Sequence, residues 1–159
     1  MELLKFNMIK SEISRMMNET RESLIVCSYS VEITNVEIFQ FISLIEYGVK
    51  IQLILGKELP ESVLVKLARL YNIGVYYFPT LHAKIYLNEN SAIITSCNFG
   101  RLTLQKLVES GIRFARKDYR NEYTELRSQV LNLVGLAKTI LPVLPHKPEK
   151  AIDLKDFLS

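Results

Sequence analysis

Apolar and polar positions alternate between two periods along the first half of the chain, and each change of period marks an element. Leu3, Leu4, Phe6, Ile9, Ile13, Met16 and Met17 recur at helical spacing with charges between them, which predicts an amphipathic helix within residues 1–20. SLIVCSYS (Ser23–Ser30) is a short apolar run rich in strand formers, the mark of a strand buried on both faces. NVEIFQFISLIEYG (Asn35–Gly48) returns to the helical period, with Asn35 as cap and Gly48 as stop. VKIQLILG then predicts a second strand, PESVLVKLARLYNIG a second helix opened by Pro60 and closed near Gly74, and VYYF a third strand. Strands alternating with helices in this way build a parallel sheet through right-handed crossovers.

After Phe78 the rhythm changes. HAKIYL, SAIIT and LVESGIRFA follow with short connections, and the first two are joined across NENS, which predicts a hairpin grafted onto the parallel part. EYTELRSQVLNLVGLAKTIL (Glu122–Leu141) reads as a closing helix with Leu126, Val130, Leu133, Leu136 or Ala137, and Ile140 on one face. The expected fold is α/β: a mixed, mostly parallel sheet with helices on both faces, forming one domain over residues 1–142. Pro142, Pro145 and Pro148 break helix, so residues 143–159 are expected to be a tail.

Composition narrows the class. A chain of 159 residues, 48% apolar and 23% charged, has the length and balance of one folded domain and not of a disordered segment. No apolar run reaches membrane-spanning length, and charges at Glu2, Lys5, Lys10 and Glu12 interrupt the start, so a cytoplasmic location without membrane partners is expected. Cys27 and Cys97 sit in apolar contexts without metal or redox spacing and are expected to be buried thiols; no metal site and no cofactor are expected. The net charge of +3 is mild, but Arg101, Lys106, Arg113, Arg116, Lys117 and Arg120 fall within twenty residues against Glu109 and Asp118. Beside a reactive site that run suits phosphates, and Arg101, Lys106, Arg113 and Arg116 are the expected nucleic-acid contacts.

The chemistry concentrates in TLHAKIYLNENSAIITSCNFG (Thr80–Gly100). On a strand, residues two apart share a face, so His82 and Lys84 project together, as do Ser96 and Asn98 on the return strand. An imidazole beside an ammonium suits phosphoryl chemistry, in which the first attacks or moves a proton and the second neutralises oxygen. Glu109, in the next strand, brings a carboxylate that can fix the imidazole's tautomer.

This order of residues resembles the phospholipase D superfamily, whose signature runs His-x-Lys, an Asp five beyond the Lys, Gly-Ser-x-Asn, and a Glu further on. HAK supplies His82 and Lys84, TSCN supplies Ser96 and Asn98, and ESG supplies Glu109. The resemblance spans about Ser23 to Phe114. Two positions depart from the pattern: Glu89, with Asn88 before it, stands where the family has Asp, and Thr95 replaces the Gly. The resemblance implies a phospholipase D-like α/β/α sandwich and metal-independent phosphodiester transfer through a phosphohistidine. It also implies a second histidine, and His146, among prolines, is a poor candidate. Small members of the family dimerise, so that His82 of one chain attacks and the partner's His82 protonates the leaving oxygen. Lys84 and Asn98 then hold the phosphoryl oxygens, Ser96 assists, and Glu109 orients His82. Small single-motif members resemble nucleases, which makes DNA or RNA the expected partner. The alternative is a degenerate nucleic-acid-binding or assembly module on the same dimeric fold; a phospholipid substrate is less favoured, since it calls for an exposed apolar entry surface.

Overall fold

The computed structural model describes residues 1–5, 7–100 and 109–145. Its elements in chain order are β1 (Glu2–Leu4), α1 (Ile9–Glu19), β2 (Ser23–Ser28), α2 (Asn35–Glu46), β3 (Lys50–Leu55), α3 (Glu61–Leu67), β4 (Ile73–Tyr77), β5 (Ile85–Asn88), β6 (Ser91–Thr95), β7 (Gly111–Ala115), α4 (Arg120–Leu136) and β8 (Lys138–Leu141). The strands form one sheet in the order β1-β7-β6-β5-β2-β3-β4-β8.

The mixed sheet with helices on both faces is the expected architecture. Leu24 and Val26 of β2 face a core shared with Ile13 and Met16 of α1, Phe41 and Ile45 of α2, and Leu67 of α3. Ile25 and Cys27 face the other way, onto Tyr123 and Val130 of α4. A central strand is apolar where both of its faces are covered, and β2 is so from Leu24 to Cys27.

The parallel part is narrower than expected. Among the strands of the described residues, only β2–β3 and β3–β4, the pairs joined by helical crossovers, are parallel. The β1–β7, β7–β6, β6–β5, β5–β2 and β4–β8 ladders are antiparallel, and between β5 and β6 only Glu89 and Asn90 intervene, which closes a hairpin.

Several boundaries also differ from the sequence pattern. Residues 2–4 are an edge strand on β7, so the first helix begins only at Ile9. Thr34, not Asn35, caps α2, through a capping box with Glu37. The second helix ends at Leu67, well before Gly74, which lies inside β4, and the left-handed residue between them is Asn72, at φ 54°. KTIL leaves the last helix to pair with β4 as β8, covering what would otherwise be a bare edge. Past Pro142 the chain still follows the sheet: the Asn72 N–H donates to the Leu144 carbonyl at 2.9 Å. The rest of the expected tail, from residue 146, lies outside the described residues, as does His146.

Candidate active site

The segment that carries His82 does not belong to a strand. After β4 it runs over the carboxyl ends of β3 and β2, where the Phe78 N–H donates to the Leu55 carbonyl at 2.8 Å and the Gly56 N–H to the Ser28 carbonyl at 3.0 Å. Gly56 allows this crossing: a Cβ there would lie 2.2 Å from the Leu81 carbonyl oxygen. The chain then enters β5 at Ile85, although the Lys84 carbonyl already accepts from the Thr95 N–H at 3.0 Å. The carboxyl ends of parallel strands are where open α/β sheets place their sites.

His82 and Lys84 meet. Lys84 Nζ lies 3.3 Å from His82 Nδ1. His82 is exposed, whereas Lys84 is only 9% exposed and has no carboxylate partner among the described residues. A buried ammonium without a counter-ion is costly, and an incoming anion relieves that cost.

Ser96 and Asn98 leave the end of β6 beside them and are each fixed by a neighbour. The Ser96 hydroxyl donates to the buried Glu109 carboxylate and accepts from the Ser110 N–H at 3.0 Å. Asn98 Oδ1 sits 3.2 Å from Ser28 Oγ and accepts from the Ser30 N–H at 3.5 Å, while its Nδ2 has no partner among the described residues. Thus Glu109 is bonded to Ser96 in this chain and not to His82, the partner expected from the sequence. Ser28 and Ser30, at the end of β2, are positioning residues the sequence reading missed; their small polar types at a strand terminus are the only signal that marks them.

The two departures from the expected motif have local explanations. Thr95 Oγ1 donates to the Ser110 carbonyl at 2.7 Å and accepts from the Cys97 N–H at 3.2 Å, so its hydroxyl shapes the turn after β6. Gly111 stands opposite and makes room: a Cβ there would come within 3.1 Å of Thr95. Asn88 and Glu89 lie at the far end of the hairpin. Asn88 Oδ1 accepts from the N–H groups of Asn90 and Ser91 at 3.0 and 2.8 Å, and its Nδ2 donates to the Met16 carbonyl at 3.2 Å. Glu89 accepts from the Arg21 N–H at 2.8 Å, tying the turn to the start of β2. Neither touches His82 or Lys84.

Of the basic run, Arg113 and Arg116 are engaged elsewhere than at His82 and Lys84. Arg113 is paired with Glu12 and Glu19 of α1, at 3.8 and 3.5 Å. Arg116 lies over the Tyr123 ring, 5.7 Å from its centre, and donates to the Glu89 carbonyl at 3.3 Å. That places Arg116 past the end of β7 opposite to Glu109, about 23 Å away at about 3.3 Å per residue. Arg101 and Lys106 lie outside the described residues. Cys97 is buried in the core and Cys27 more deeply still, its thiol pushed up to about 12 by burial, so neither is a nucleophile. No group of three or more metal-binding side chains occurs among the described residues, and none of their helices is long and apolar enough to cross a membrane.

The chain is thus an α/β protein with an eight-stranded mixed sheet and with His82, Lys84, Ser96, Asn98 and Glu109 at one end of it. A family model described as "Cardiolipin synthase, PLD-like domain" matches residues 13–130, and the chain belongs to this phospholipase D-like family. Comparison with curated protein sequences gives no match. Among solved structures, NucT from Helicobacter pylori is similar at a TM-score of 0.73 and 13% identity, over 87% of this chain and 98% of that one. Nuc from Salmonella typhimurium, a phospholipase D family member, is similar at 0.63 and 13%, over 84% and 91%. TrmBL2, an archaeal chromatin protein with a novel mode of DNA binding, is similar at 0.66 and 12%; the match covers 87% of this chain and 54% of TrmBL2. At these identities the likeness is one of fold.

Proposed function

We propose that the protein is a metal-independent phosphodiesterase that cleaves DNA or RNA through a phosphohistidine, at a site shared by two copies of the chain. The observation that carries this reading is Lys84: a buried, uncompensated ammonium 3.3 Å from an exposed imidazole is a place prepared for a phosphate next to a nucleophile.

With Lys84 donating to Nδ1, the neutral imidazole carries its proton on Nε2, whereas the copy that serves as the acid is the imidazolium, protonated on both nitrogens. Attack needs a bare Nε2. A phosphate oxygen that takes over the ammonium frees Nδ1 to hold the proton instead. His82 Nε2 then forms a bond to phosphorus as the bond to the leaving oxygen breaks, and the partner's His82 protonates that oxygen. In the second step the partner's His82 removes a proton from water, whose oxygen displaces Nε2 and restores both imidazoles. Asn98 Nδ2 and Lys84 hold the non-bridging oxygens, and Glu109 holds the Ser96 hydroxyl in position.

A surface for the second copy lies beside the site. Leu3, Ile112 and Ile94 are exposed and register with one another across β1, β7 and β6, and Ile85 continues the row on β5. These positions sit at the site end of the sheet, on the face that α4 covers only further along through Phe114, Ala92 and Leu87. A contiguous apolar row on an uncovered sheet supports a self-complementary contact, and a two-fold axis there brings two copies of His82 toward each other.

Nucleic acid as substrate is supported by the DNA binding of TrmBL2, and that likeness also favours a second reading, a binding module without catalysis. Labelled single- and double-stranded DNA and RNA, incubated with the protein in excess chelator, separate the two. Cleavage that persists, with an acid-labile phosphate trapped on the peptide carrying His82, is the expected result. Binding without cleavage supports the module, and cleavage that appears only with added magnesium overturns the phosphohistidine.

A further inference from the structure

We propose that Tyr29 is a stacking platform for the nucleobase flanking the scissile phosphate, an inference that rests on the nuclease reading and adds a binding element to the same site. Its ring centre lies 5.5 Å from that of His82, with the planes at 41°. Tyr29 is 41% exposed, although it follows directly on a strand buried from Leu24 to Ser28.

The ring is held from within and open from without. A Cβ at Gly56 would lie 2.9 Å from Tyr29 Cδ2 and 3.2 Å from its Cα, so the end of β3 backs the tyrosine closely. The residues on either side, Ser28 and Ser30, are the two that hold Asn98. One three-residue turn thus fixes both the amide that binds a phosphoryl oxygen and the aromatic ring next to the nucleophile. A base resting on that ring belongs to the nucleotide adjoining the bond being cut. The phenol hydroxyl has no partner among the described residues, so no hydrogen bond explains the ring's placement. A pre-held ring with two side-chain torsions loses little entropy on contact, and each base has a face to offer it, so the contact is tolerant of sequence.

The test is a cycle between Tyr29 and a single abasic nucleotide. Binding to the uncleavable His82→Ala background is measured for a 12-mer and for the same 12-mer with an abasic residue stepped through each position. At one position beside the scissile bond, removal of the base should weaken binding roughly 5- to 150-fold, the worth of one base–aromatic stack. Tyr29→Ala should weaken the intact strand by a similar factor and add nothing once that base is gone, while Tyr29→Phe should behave as the parent. In the chain that keeps His82, Tyr29→Ala should raise KM and leave the pH profile of kcat in place, which a role in orienting His82 would not. Equal losses on intact and abasic strands, or no penalty at any position in a chain that still cleaves, overturn the stacking role and leave the nuclease reading standing. A chain that neither binds nor cleaves the strand overturns both.

Discussion

Gly56→Ala probes how the site is carried on the fold. The glycine has an ordinary backbone conformation, so the substitution acts through space alone. Its new methyl would stand 2.2 Å from the Leu81 carbonyl oxygen, against about 3.3 Å for an ordinary carbon–oxygen contact. The segment must therefore retreat by about 1 Å immediately before His82. Overpacking of this size costs about 1–3 kcal/mol, which for a chain of this length lowers Tm by roughly 2–12 °C. A displacement of 1 Å at a reacting group costs about a hundredfold in rate, so the loss of kcat should far exceed what the loss of stability explains at 20 °C. Thermal unfolding and single-turnover cleavage, measured on the same preparation, check both figures. A variant with a lowered Tm and an unchanged single-turnover rate would show that the crossing over β3 does not set the position of His82, and the reasoning would fail.

Two other predictions concern the frame of the site. Asn88→Ala removes a fully buried amide that bonds both the hairpin turn and the Met16 carbonyl; it should cost about 2–4 kcal/mol in urea denaturation, and a chain of unchanged stability would refute the structural role given to it. The Cys27 thiol is pushed from its ordinary value near 9 up to about 12 by burial, so the stability it contributes is complete below pH 9 and is lost as the pH rises toward 12. The slope reaches about 1.4 kcal/mol per pH unit, and the stability gap between wild type and Cys27→Ala should close above pH 9; parallel curves would contradict the assignment.

The middle of the fold was legible because its signals are local. Every position from Leu24 to Cys27 is apolar, and α2 and β3 carry their period in their own residues. The edge strands were not legible. Leu3 and Leu4 continue the spacing of α1, and KTIL continues that of α4; pairing with Gly111–Arg113 in one case and with Val75–Tyr77 in the other overrides a helical pattern. Thr34 and Glu37 formed a readable capping box, but Asn35 offered a competing cap one residue later. At the candidate site, the spacing of His82 with Lys84 and of Ser96 with Asn98 singled out four residues that lie together at one end of the sheet. Their partners were not legible, because they depend on long-range register. Glu109 bonds the Ser96 hydroxyl beside the Ser110 N–H, and Asn98 meets Ser28 from seventy residues away. Arg113 reads as a phosphate contact until the β1–β7 edge sets it against α1, where it pairs with Glu12 and Glu19.

The shared site is tested most directly by mixing subunits. His82→Ala should fold and bind nucleic acid without cleaving it, because each composite site then lacks its nucleophile and its acid. Wild-type and His82→Ala chains are combined in equal amounts, allowed to exchange freely, and assayed at constant total protein. Random pairing leaves about one quarter of the dimers wild type on both sides. A mixed dimer keeps one histidine and lacks either the attacking group or the proton donor at every turn of the reaction. Cleavage at about one quarter of the wild-type rate is the predicted result. A rate near one half, or a monomer that cleaves as fast as the dimer, would contradict the account, since each chain would then be complete with a single histidine of its own.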